Sequence, residues 1–273
     1  MKQISKIAQI SSALILGVVM LSGCGSASST SAKTAEKFKL PEAGQGAAAP
    51  MGGTYLNQKL SAPVLALPLV DSTGTKISLA SFAGKTVILA NFLTSCQEIC
   101  PMVSANMRDL ADAISGSALK GKVEVLEVSV DAGTDTPARL QAYQALYGEK
   151  SWTLATGSEK DLNSLWSYFG APATRMAKSA TEAANAPQDW QTGKPITYDY
   201  MHADIVLIIN PDSTWSWMDL AAPQTVAKKV PAKMQSFLSD EGQTNLSKPD
   251  AFSWSVDTVL AALTQLTGVS IKA

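Results

Sequence analysis

Thr86-Val87-Ile88-Leu89-Ala90-Asn91-Phe92-Leu93-Thr94-Ser95-Cys96-Gln97-Glu98-Ile99-Cys100-Pro101 is the stretch that decides the fold. Its first half is nearly continuous apolar sequence, which suits a strand covered on both faces of a mixed sheet. Its second half is a short loop holding two cysteines and ending on Pro101. From there Met102, Val103, Met107, Leu110, Ala111 and Ile114 fall on one helical face. Proline suits a first helical turn, where its missing N–H is no loss. A strand, a two-cysteine loop and a helix therefore follow one another without interruption.

Upstream, Val64 to Val70 alternates loosely, Asp71-Ser72-Thr73-Gly74 is a turn signal, and Lys76 to Leu79 reads as the return strand of a hairpin. Downstream, Val123 to Val130 is the next strand. Asp135-Thr136-Pro137 caps a helix through Leu140, Tyr143 and Leu146, stopped by Gly148. Trp152 to Ala155 is a short strand, and Ser158 opens a helix carrying Leu162, Leu165, Trp166 and Phe169. Residues 171–197 have no clear period and read as an insertion or long loop. Asp204 to Ile209 is a buried strand, turned by Asn210-Pro211-Asp212-Ser213 into Thr214 to Met218. A helix near Thr225–Leu238, interrupted by Pro231, and a last amphipathic helix from Ser253 to Leu266 complete the chain. This order predicts an α/β fold: a thioredoxin-like mixed sheet flanked by helices, with an N-terminal hairpin and a C-terminal helical extension.

The N-terminus reads as a targeting segment. Lys2 and Lys6 precede an apolar run, Ala13 to Met20, that is short for a membrane span and stops at Leu21-Ser22-Gly23-Cys24. That tetrad is similar to a bacterial lipobox, with Cys24 as the site of lipid attachment. Residues 24–53 are Ser-, Ala-, Gly- and Pro-rich and are expected to be a flexible lipid-tethered linker. The expected organisation is thus 1–23 signal peptide, 24–53 linker, 54–240 thioredoxin-like domain and 241–273 C-terminal helical extension. The protein is expected to be extracytoplasmic, anchored by lipid to a bacterial membrane on its periplasmic or outer face. Net charge is −1 with His neutral, so nothing points to nucleic acid as a partner.

Cysteine usage carries the chemistry. Of three cysteines, acylation of Cys24 leaves Cys96 and Cys100, in a compartment where disulfides persist. A helix N-terminus beside them favours the thiolate. Three roles are open: a structural disulfide, which gains little from closing so short a loop; a dithiol redox couple; and a soft-metal site completed by a third ligand. His202 is the single histidine and immediately precedes the second buried strand, whose leading loop lies beside the first strand–helix junction in a thioredoxin-like sheet. Thioredoxin-like disulfide exchangers hold a cis-proline in that loop; here the nearest upstream proline is Pro195. Two thiolates and one imidazole suit Cu(I) and tolerate Cu(II). A closed zinc site has no second His and no further free Cys to complete it.

Thr94-Ser95-Cys96-Gln97-Glu98-Ile99-Cys100-Pro101, Ser129-Val130-Asp131 with Asp135-Thr136-Pro137, Trp152 to Gly157, and Tyr198 to His202 leading into Asp204–Ile209 and Asn210-Pro211-Asp212 together resemble the SCO/SenC family of thioredoxin-like copper-binding proteins. The resemblance extends over roughly Ala62 to Leu238. It implies a metallochaperone that delivers copper to, or reduces the cysteines of, the binuclear copper centre of cytochrome c oxidase. It also implies Cys96, Cys100 and His202 as copper ligands and Cys96 with Cys100 as a redox-active pair. The implied partner is the copper-receiving oxidase subunit or another copper client. The alternative is an extracytoplasmic thiol–disulfide oxidoreductase or redox sensor using the same cysteines. Two positions depart from the family pattern. Gln97 stands where proline is common, so the loop is expected to be less stiff. Met201 stands where an acidic residue is common; it is expected to pack rather than to serve as a weak extra ligand.

Overall fold

All seven residues of the strand Thr86–Phe92 are buried, as its unbroken apolar sequence requires of a strand at the centre of a sheet. The computed structural model of the protein describes residues 38–148 and 152–271. The targeting segment, with Cys24, lies outside the described residues. In chain order the elements are β1 (Ala47–Ala48), β2 (Thr54–Lys59), α1 (Ala62–Leu65), β3 (Leu69–Asp71), β4 (Lys76–Ile77), β5 (Thr86–Phe92), α2 (Cys100–Ser115), β6 (Val123–Ser129), α3 (Pro137–Leu146), β7 (Thr153–Gly157), α4 (Glu159–Tyr168), β8 (Thr174–Ala177), α5 (Ala180–Ala184), β9 (Tyr198–Met201), β10 (Val206–Ile209), β11 (Thr214–Asp219), α6 (Ala232–Phe237), α7 (Asp240–Ser247) and α8 (Val256–Thr267).

The main sheet has nine strands in the order β1-β2-β11-β10-β5-β6-β7-β3-β4. β5, β6 and β7 run parallel, and the remaining pairs are antiparallel. This is the expected thioredoxin-like mixed sheet flanked by helices. The core runs through its centre, where Ile88, Leu89, Phe92, Leu126, Leu207 and Trp166 are fully buried. Helix starts follow their sequence signals: Thr136 accepts from the Arg139 N–H, and Ser158 accepts from the Asp161 N–H. The two-cysteine loop leaves the carboxyl end of β5, where ligand-binding crevices of open parallel sheets form.

Four segments differ from their sequence expectations. Val64 to Val70 is not one strand: Pro63 sits in the first turn of α1, and only Leu69–Asp71 pairs. The helix near Thr225–Leu238 is reduced to a 3-10 turn at Ala227–Lys229 and α6, because Pro231 has no N–H to continue a ladder. Residues 171–197 are not a plain loop; they carry β8 and α5, and β8 pairs with β9 as a two-stranded ribbon. The part of the expected tether that is described, residues 38–53, lies on the sheet edge. β1 pairs with β2, the Phe38 and Tyr55 rings stand 4.7 Å apart, and Asn57 Nδ2 donates to the Pro41 carbonyl. The turn between β1 and β2 uses Gly53 at φ 74°, where a Cβ would meet the Trp217 ring. Pairing of that kind draws on backbone groups, which a low content of large side chains does not reveal.

Candidate functional site

Cys96 and Cys100 sit where β5 hands over to α2, and both are free thiols. Cys100 is buried as the first residue of α2, and Cys96 is half-buried in the loop above it. The Cys96 sulfur accepts from the N–H groups of Cys100 at 3.4 Å and Glu98 at 3.5 Å. These contacts make the two thiols unequal. The Cys100 thiol donates to the Cys96 sulfur and holds its pKa below the ordinary range; the surrounding N–H groups do the same and together outweigh burial. Burial pushes the Cys100 thiol well up, and a thiolate at Cys96 opposes a second charge beside it. Cys96 is therefore the thiol that ionises first.

The loop is held from its far side. Gln97 Nε2 donates to the Phe237 carbonyl at 2.8 Å, and the Gln97 carbonyl accepts from the Ser239 N–H at 2.9 Å. Gly242 of α7 lies so close to that carbonyl that a Cβ there would collide with it. The expectation of a less stiff loop at Gln97 is not met: tertiary contacts to residues 237–242 supply the restraint that a proline ring would.

Thr94, just before the loop, is the centre of a buried network. Its hydroxyl donates to Asp135 Oδ1 at 2.5 Å and its N–H to Asp135 Oδ2 at 3.1 Å. Its carbonyl accepts from Trp190 Nε1 at 2.8 Å, and Arg139 Nε donates to its hydroxyl at 2.5 Å. Arg139 also makes a two-pronged contact to Asp189, Nη1 to Oδ1 at 3.0 Å and Nη2 to Oδ2 at 2.5 Å. Burial and the nearby Asp131 raise the Asp135 carboxyl to about 6. For Asp189 burial is outweighed by the Arg139 fork and by Thr192, and its pKa falls to about 2. Asp189 and Trp190 belong to the 171–197 insertion. That segment therefore walls the cysteine loop.

His202 follows β9 directly. Asn91, inside β5, donates through Nδ2 to the Ala203 carbonyl at 2.7 Å and lies 3.3 Å from His202 Nδ1, while its Oδ1 accepts from the Ile205 N–H at 3.1 Å. β9 is fixed in turn by Tyr198, whose hydroxyl donates to Asp131 Oδ2 at 2.7 Å. The His202 side chain is 7% exposed, with Nδ1 3.7 Å from Asp204 Oδ1. Burial raises the Asp204 carboxyl, partly offset by His202. Cys96 and His202 line one cleft of about 570 Å³, together with Glu98, Met176, Met201 and Asp204. Cys100 is buried and does not line it. Among the described residues, no three His, Cys, Asp or Glu side chains come together as a metal-binding group. Cys96 and Cys100 are in contact, and His202 shares their cleft without closing a triad.

Asn91, Arg139, Asp189 and Trp190 carry no signal in the sequence that points to the site. A tryptophan and an acid inside the small, polar run Ala186-Pro187-Gln188-Asp189-Trp190 were the one signal that this insertion had a partner.

The SCO1/SenC family model matches residues 64–239, more than half of the chain. The chain belongs to the SCO1/SenC family. It is 31% identical over 109 residues to the SCO1 protein homolog of Bacillus subtilis (strain 168), across 39% of this chain and 55% of that one. The match thus spans about half the length of that relative. Among solved structures, a SCO1/SenC family lipoprotein from Bacillus anthracis str. Ames is similar at 20% identity and TM-score 0.48, covering 67% of this chain and 96% of that one. ScoI of Bradyrhizobium japonicum, solved with copper bound, is similar at 18% identity and TM-score 0.43, covering 62% and 93% respectively. In this SCO1/SenC chain no helix among the described residues is long and apolar enough to cross a membrane.

Proposed function

We propose that this SCO1/SenC protein is a copper-binding metallochaperone whose ligands are Cys96, Cys100 and His202. Its client is the copper-receiving subunit of cytochrome c oxidase or a protein of like chemistry. The observation that carries the reading is the single cleft onto which both Cys96 and His202 open, with Cys100 in contact below. Two thiols that give up their protons on metallation, Cys96 the more readily, and an imidazole form a soft donor set matched to Cu(I) and adequate for Cu(II). Copper is the cargo. The protein's own part is to favour ionisation of Cys96 over Cys100, to keep Cys100 shielded, and to tether the His202 loop through Asn91 so that it can close on a metal held by the sulfurs. Cys24 carries lipid and keeps the domain at an extracytoplasmic membrane surface.

The test pairs metal and thiol chemistry. His202→Ala is expected to lower Cu(II) affinity by at least about tenfold and Cu(I) affinity less, because two thiolates alone hold Cu(I) while Cu(II) wants nitrogen. Disulfide reduction by the Cys96–Cys100 pair survives in that variant. Unchanged copper affinity with a collapsed exchange rate would overturn the reading. One observation favours a second role as thiol–disulfide oxidoreductase: the inequality of the thiols gives Cys96 the character of an attacking nucleophile and Cys100 that of a resolving thiol.

A further inference from the structure

The ribbon of β8 and β9 has two faces with different chemistry. Its register pairs Thr174 with Met201 and Met176 with Asp199. Residues opposite one another, and residues two apart, share a face. Met176 and Met201 are therefore diagonal neighbours on one side of the ribbon, within reach of each other as long side chains. The other side carries Tyr198, Tyr200 and Arg175; Tyr198 is anchored to Asp131, and the Arg175 guanidinium lies 4.0 Å from the Tyr198 ring. That side is committed to holding the ribbon in place. The methionine side faces open space: Met201 is 62% and Met176 49% exposed, and both line the cleft shared by Cys96 and His202. Met201 does not pack, contrary to its sequence expectation. Asp199, on the same side, is already paired with Lys178 at 2.5 Å.

We propose that the thioethers of Met176 and Met201 form a capture site for Cu(I) at the mouth of the cleft, from which the ion passes to Cys96; the inference rests on the copper reading above. A thioether is a soft, uncharged donor that needs no deprotonation, so it selects Cu(I) over hard cations and releases it readily. The step is a ligand exchange with no change of oxidation state. Copper–thioether bonds break, copper–thiolate bonds form at Cys96 and Cys100, and whatever thiol protons the two cysteines still carry leave to solvent. His202, one residue beyond Met201, lines the same cleft as both sites.

The test uses the full chain with methyl-13C methionine and silver(I) as a redox-inert probe for Cu(I). In Cys96→Ser/Cys100→Ser, silver(I) is expected to shift the methyl resonances of Met176 and Met201 together and to saturate at one equivalent. Met51, 57% exposed and outside the cleft, serves as the reference. Shifts at Met176 and Met201 no larger than at Met51, or saturating separately, overturn the proposal. In the protein with both cysteines, Met176→Leu/Met201→Leu keeps the apolar surface and removes only sulfur. Transfer of Cu(I) from a weak chromophoric chelator should slow by about tenfold in that variant, with one copper still bound per chain. An unchanged transfer rate sinks the capture site and leaves the chaperone reading intact. Failure of the unsubstituted protein to bind copper at all sinks the chaperone reading instead.

Discussion

Glu127 is a charged residue type in the middle of a parallel strand, fully buried and not among the residues that line the cleft. Ser104 Oγ donates to its Oε1 at 3.0 Å and Trp152 Nε1 to its Oε2 at 2.7 Å. Beyond Ser104 lie the hydroxyls of Tyr143 and Tyr147, and Tyr147 donates to the Pro101 carbonyl at the start of α2. Burial outweighs the two donors and pushes the Glu127 carboxyl up from 4.5 to about 8. A carboxyl whose folded pKa is raised favours folding most below its unfolded pKa and loses that contribution as pH rises through the folded one. Asp135 titrates the same way at about 6, whereas the lowered Cys96 thiol acts in the opposite sense, so Glu127 is isolated by the difference between the unsubstituted protein and Glu127→Gln over about pH 6.5 to 8. The contribution of Glu127 is expected to fall across that range by at most about 1.4 kcal/mol per pH unit. Glu127→Gln keeps an acceptor for Trp152 and supplies a donor for Ser104, as the protonated acid does. Urea unfolding of that variant should show stability falling less, or rising more, with pH over the window; a slope equal to that of the unsubstituted protein would mean Glu127 does not titrate there.

The insertion at 171–197 is the element whose role the fold alone does not require. Its tie to the body is the Arg139–Asp189 pair, 5% and 9% exposed, reinforced by Trp190, whose ring lies 5.0 Å from the guanidinium. Buried ion pairs gain little over an apolar substitute, but removing one partner strands the other. Arg139→Met leaves both Asp135 and Asp189 without their cation. It is expected to cost about 3–5 kcal/mol and to expose the insertion to protease at its Ala-rich turn. Arg139→Met/Asp189→Leu should recover part of that loss in thermal unfolding. Equal stability of the single variant and the starting protein would show that the insertion is held by other contacts.

At the scale of the molecule, the C-terminal helices close the site from behind. α8 buries Val259, Leu260 and Leu263, and α7 sets Gly242 against the Gln97 carbonyl. The cysteine loop is thus positioned by residues more than a hundred positions away. Gly242→Val is expected to displace the loop without touching either thiol: the global unfolding midpoint falls modestly, and the Cys96–Cys100 reduction potential shifts because the hydrogen bonds to the Cys96 sulfur change. A redox titration of the two proteins reads this directly, and identical potentials would mean that the loop keeps its shape without that contact.

Several features were legible in the chain itself. The apolar run of β5, the proline that opens α2, the capping residues Thr136 and Ser158, and the turn at Asn210–Ser213 each depend on neighbours in sequence, and local chemistry is enough to specify them. The candidate cysteines and the lone His202 were visible for the same reason: few residue types can do soft-ligand or thiol chemistry, and only these remained. Tertiary structure alone decided what holds them. Asn91 reads as one polar interruption in a strand until β10 brings Ala203 and Ile205 against it. Gln97 reads as a lost stiffener until Ser239 and Gly242 arrive. The β8–β9 ribbon has no alternating apolar pattern because all four residues of β8 are exposed; its pairing rests on backbone groups and on Tyr198 reaching Asp131. Local sequence reports how a segment buries its own apolar face, whereas contacts between distant segments depend on where the fold carries each of them.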